Sequence, residues 1–155
     1  MRQYQYTECA PASYVCRVRF RLTWIALPTL MQKEVKKVVA VLSDLFFSAK
    51  IVETAKRCGL AVEFVTDGTQ LRERAAARPA LIIFDLNFEG IEPLQAIAEL
   101  KGNAQTKSIS LLGYLSHVQG ELKQQAQEAG CDMVMARSAF SQNLSQIFKR
   151  HSGVL

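Results

Sequence analysis

The chain has 155 residues, 49% of them hydrophobic, enough to bury the core of a single domain. Its formal charge of +5 is unevenly placed: residues 1–36 carry six Lys/Arg against two Asp/Glu, and residues 37–155 carry thirteen against twelve, so the near-neutral body implies no basic face and is not expected to bind nucleic acid. The four cysteines form no CxxC pair and no Cys/His cluster of zinc spacing, which excludes a sequence-local zinc site and fits reduced thiols in the cytoplasm.

Residues 1–30 show neither a helical stripe nor a strand-and-turn pair. Val18–Leu22 alternates like a lone basic strand, and Met31 stands just before the regular pattern begins. Leu22–Met31 is about half a membrane span, contains Pro28 and lacks a small-residue cleavage site, so neither an anchor nor a signal peptide is expected. The segment reads as a mobile or mis-started extension, with a docking or nucleic-acid-touching arm as the alternative.

From Glu34 onward, short β-type runs alternate with helical patterns, the sequence form of a parallel α/β sheet. The first strand is Val38–Leu42, and a helix from about Phe47 to Cys58 places Ile51, Val52 and Ala55 on one face before Gly59. Strand two is Ala61–Thr66; Asp67-Gly68 then turns into a helix holding Leu71 and Ala75. Strand three, Leu81–Phe84, leads to a helix starting near Pro93, where a missing N–H is harmless. Ile109–Tyr114 forms strand four, and Leu122, Ala126 and Ala129 mark a fourth helix closed by Gly130. Strand five is Asp132–Ala136, and Ser141 is expected to N-cap a last helix with Leu144, Ile147 and Phe148 inward. The domain is thus 34–151, with a tail at 152–155.

Two of these apolar runs, Val38–Leu42 and Ala80–Phe84, deliver a carboxylate to a strand end, Asp44 and Asp85. In a flavodoxin-like sheet of order 2-1-3-4-5, strands one and three are neighbours, and their C-terminal ends meet at the topological switch point where such folds bind ligands. Two carboxylates there repel unless a hard cation such as Mg²⁺ lies between them. The plainer reading is that Asp44 starts a turn and Asp85 caps a loop.

Residues 37–151 resemble the receiver domain of bacterial response regulators. The best match is Asp85-Leu86-Asn87-Phe88-Glu89-Gly90-Ile91-Glu92-Pro93-Leu94, similar to the family's segment around its phosphoacceptor aspartate. Ser43-Asp44 stands where the family has an acidic pair, and Ala129-Gly130-Cys131-Asp132 resembles its approach to strand five. The resemblance implies a three-layer α/β sandwich of five parallel strands. It implies a phosphorelay module rather than an enzyme, accepting a phosphoryl group on Asp85 from a histidine kinase or working with another signalling protein. It also implies Asp44, Asp85 and the Asn87 carbonyl as metal ligands, and Arg137 as the phosphate-binding cation.

The departures bear on mechanism. Ser43 removes one acid, so Mg²⁺ binding is expected to be weak. Arg137 replaces the usual lysine with a fork that can clasp a carboxylate, expected to be Asp85 when no metal is bound; Ser138 replaces the proline that follows it. The switch hydroxyl after strand four falls on Leu115, one residue from Ser116, and the aromatic switch position falls on Val134, so neither position carries the group that the family's relay uses. These departures leave open a pseudo-receiver that binds partners without phosphate. A flavodoxin-like binder of a small phosphorylated ligand is the further alternative, although Ser43–Phe47 offers one hydroxyl before turning apolar. No G-x-G-x-x-G follows strand one, and Ser43 with His117 and Asp85 lacks the elbow of a hydrolase triad. Cys58 and Cys131 read as helix-end and core residues, and of Phe46 and Phe47 at least one is expected in the core.

Overall fold

The computed structural model describes residues 35–116 and 119–153; the expectations for residues 1–30, His117 and the end of the tail lie outside them. Five strands, β1 (Lys37–Val41), β2 (Ala61–Val65), β3 (Leu81–Asp85), β4 (Ser110–Leu115) and β5 (Met133–Ala136), alternate with α1 (Leu45–Arg57), α2 (Gly68–Ala76), α3 (Pro93–Gly102), α4 (Gly120–Glu128) and α5 (Arg137–Ser152). All neighbouring strands are parallel, in the order β2-β1-β3-β4-β5.

The runs are continuous rather than alternating because both faces of the sheet are covered. Val39, Val41, Ile82 and Phe84 pack with Leu71, Ile97 and Ala126 on the side of α2, α3 and α4. Val38, Ala40, Ile83 and Leu112 pack with Ile51, Phe140, Leu144 and Phe148 on the side of α1 and α5. Helix α1 starts where Asp44 accepts from the Phe47 N–H at 2.9 Å, and α2 where Asp67 accepts from Thr69 and Gln70, since Asp at this position satisfies otherwise unpaired first-turn amides. Gly113 in β4 is closely packed: a Cβ there would lie 3.0 Å from the Leu86 side chain, which would have to give by a few tenths of an ångström.

Strand ends differ from expectation by one residue in places, and one helix start is corrected. Helix α5 begins at Arg137, directly after β5, with no side-chain cap. Ser141 lies inside it and its Oγ accepts from Lys50 Nζ at 2.5 Å, because Phe140, the residue before it, is already helical and buried among α1, α5 and sheet residues. Cys131 is buried against the Leu111 and Met133 carbonyls, and Cys58 ends α1.

Candidate functional site

The register brings the two carboxylates together. Val41 pairs with Phe84 across β1 and β3, so Asp85, the last residue of β3, and Asp44, just beyond β1, reach the same edge of the sheet. Asp85 pairs with Tyr114 of β4, and Arg137 enters from the end of β5.

Each group already has a partner. Asp85 is 9% exposed; its Oδ1 accepts from the Asn87 N–H at 3.0 Å and its Oδ2 from the Tyr114 hydroxyl at 3.2 Å. Asp44 accepts from the Phe47 amide through Oδ1 and from the Arg137 guanidinium through Oδ2. The guanidinium lies on Asp44 and not, as the sequence led one to expect, on Asp85. The reason is geometric: Arg137 also sits 4.6 Å over the Phe47 ring, in the first turn of the helix that Asp44 caps, so one conformation satisfies both the charge and the ring face.

These contacts shift the titrations. Asp44 is held below the ordinary aspartate range, first by the Phe47 amide and then by Arg137. Arg137 is raised, chiefly by its bond to Asp44. Tyr114 is pushed well above its ordinary value by burial and then by the neighbouring Asp85 charge, so it stays a proton donor to that carboxylate.

Tyr114 is the residue the sequence reading missed. Its ring stacks on Phe140 at 5.1 Å and meets Phe47 edge-on at 5.2 Å, and this trio aims the hydroxyl at Asp85. Leu115 is buried and offers no hydroxyl. The Ser116 amide donates to Asn87 Oδ1 at 2.9 Å, while Asn87 Nδ2 donates to Gln119 at 3.2 Å, tying the loop after β3 to the start of α4. Val134 is buried without a ring. Ser43 is exposed, and no triad histidine is among the described residues. Beside the site Phe47 is buried, whereas Leu45 and Phe46 are 83% and 93% exposed.

Among the described residues no three His, Cys, Asp or Glu side chains gather as a metal cluster. The donors available to a hard cation are the two carboxylates and the backbone around Asn87. They fit such an ion weakly, since Arg137 and Tyr114 must give way first. No helix among the described residues is long and apolar enough to cross a membrane.

Neither the protein-family models nor the curated proteins compared give a match to this sequence. Solved structures do match in fold. A response regulator from Hahella chejuensis is 20% identical with a TM-score of 0.68, covering 77% of this chain and 96% of that one. The receiver domain of a sensor histidine kinase from Pseudomonas aeruginosa, solved with magnesium in its active-site cleft, is 19% identical with a TM-score of 0.65, covering 77% and 98%. The phosphorylated cyanobacterial phytochrome response regulator RcpA is 24% identical with a TM-score of 0.63, covering 75% and 90%. The chain therefore has the flavodoxin-like fold of response-regulator receiver domains.

Proposed function

We propose that the chain is a receiver-type module of phosphorelay signal transduction, working in the cytoplasm through its 34–151 domain, with Asp85 as the acceptor of a phosphoryl group from the phosphohistidine of a partner kinase. The observation that supports this most is the convergence of Asp85, Asp44 and Arg137 at the switch point between β1 and β3, in a fold shared with receivers. In the transfer, an Asp85 carboxylate oxygen bonds to phosphorus as the P–N bond breaks, and the imidazole nitrogen keeps that electron pair and takes up a proton. Bound Mg²⁺ would shield the charge between carboxylate and phosphoryl oxygens. Arg137, leaving Asp44, would pair with the phosphoryl group through its fork.

A second reading has its own support. The bonds from Tyr114 to Asp85 and from Arg137 to Asp44 satisfy both acids without metal or phosphate, so the closed form can act as an interaction module through the exposed Leu45 and Phe46 beside it. Incubation of the full chain with phosphoramidate and Mg²⁺, followed by intact mass spectrometry, separates the two. The phosphorelay reading expects the mass of one phosphoryl group, absent from Asp85→Asn. Absence of any adduct in the wild type and in variants that open the pocket would leave the phosphate-independent reading.

A further inference from the structure

At the opposite end of the sheet from Asp85, the start of β1, the residues before β3 and the ends of α2 and α5 enclose an open cleft of ≈ 680 Å³. It is lined by Val35, Ala77, Ala80, Lys36, Lys37, Arg78, Arg150 and His151, with no acid among these described residues. Glu63 is the acid closest to this group in the ion-pair pattern, and it is divided between Lys37 at 2.9 Å and Arg74 at 3.2 Å. Lys36, Arg78 and Arg150 make no ion pair with another described residue.

Helix ends account for part of this charge. The C-termini of α2 and α5 each present roughly half a negative charge, and the Lys36 ammonium reaches over Gly153 at the end of α5. Among the described residues, even with Glu63 counted in full, roughly two positive charges remain over in the cleft. Because residues 37–155 are nearly neutral as a whole, the surplus reflects segregation of charge toward one pole.

A second, independent observation concerns Arg78. It has φ of 51°, in the left-handed region that non-glycine residues seldom occupy, at the position after the α2 cap where glycine is the usual residue. Glycine would hold the same backbone without strain, yet this position is an arginine, and it is one of the residues lining the cleft. Strain of this kind gathers at ligand clamps.

We propose that this cleft binds a small anion carrying two or more adjacent phosphates, clasped by Arg78, Arg150 and Lys36. The volume is within the range of small-ligand sites, and the guanidinium forks suit phosphate oxygens through paired bonds. This site is separate from the Asp85 pocket.

Isothermal titration of the full chain with inorganic tripolyphosphate, and in parallel with ATP, tests it. Saturable one-to-one binding that weakens with added salt is expected, with ATP binding at least as tightly as tripolyphosphate if a nucleoside is also accommodated. Arg78→Gly should weaken binding about tenfold, the loss of roughly one charge-assisted contact, while the melting temperature holds or rises because the strain is relieved. Lys36→Gln with Arg150→Gln should abolish it, and Asp85→Asn should leave it intact. Absence of saturable binding by either anion at millimolar concentration, or unchanged binding in Arg78→Gly, overturns the proposal. Equally tight binding of unrelated duplex DNA would overturn the assignment to a small ligand.

Discussion

Replacing Tyr114 by Phe removes one hydroxyl and almost nothing else. The ring is fully buried, and its stacking on Phe140 and edge contact with Phe47 do not need the oxygen. What is lost is the bond to Asp85 Oδ2 at 3.2 Å, longer than the 2.7 to 2.8 Å usual for O–H donors. A net bond to a charged group contributes about 1.5–3 kcal/mol, and this length places Tyr114 below that range, at about 1 kcal/mol. For a domain of this size the melting temperature should fall by about 3–5 °C. The same change leaves a carboxylate oxygen of Asp85 free to react. If the hydroxyl is a barrier of about 1 kcal/mol, labelling by phosphoramidate and Mg²⁺ should be faster by about fivefold. Differential scanning fluorimetry and timed intact mass spectrometry read the two effects. A variant as stable as the wild type and labelled no faster would refute the claim that Tyr114 restrains Asp85. Tyr114→Ala is not a substitute, since its cavity alone costs about 3–5 kcal/mol.

Arg137→Lys should also speed labelling, because a lysine gives up the Phe47 ring face and holds Asp44 less firmly; equal rates in both proteins would show that Arg137 is no latch. In a titration followed by amide NMR, Mg²⁺ should move the signals of Asp44, Asp85 and Asn87 together at millimolar concentration, and Ser43→Asp should tighten binding; no movement in either protein would remove the shared metal site. Asp44→Ala should destabilise the fold by about 1 kcal/mol through loss of the α1 cap, seen in urea unfolding. Because Asp44 is held below its ordinary value of 3.8, its contribution is complete above that pH and disappears as pH falls through the lowered folded value. The difference between wild type and variant should therefore be constant at neutral pH and shrink below about pH 4, and an undiminished difference in acid would contradict the cited cause.

The architecture was legible because its signals are local. Val38–Leu42 and Leu81–Phe84 read as doubly covered strands from their unbroken apolar character, Asp67-Gly68 read as a helix start, and the alternation of strand and helix read as a parallel sheet; the order 2-1-3-4-5 came with the flavodoxin-like fold, since alternation alone fits more than one order. That Asp44 and Asp85 would share an edge also followed, since each is a fixed few residues past a strand whose neighbour is set by topology. What each acid would bind was not legible. Arg137 prefers Asp44 because the Phe47 ring lies alongside, and Tyr114 reaches Asp85 because Phe140 and Phe47, from two other helices, fix its ring. The early start of α5 likewise depends on Phe140 finding a place between α1 and the sheet, which no capping pattern around Ser141 records. Backbone periodicity is written residue by residue along the chain, so sequence determines it; a side chain's choice between partners a few ångströms apart depends on distant segments packed around it, and only the assembled tertiary structure decides it.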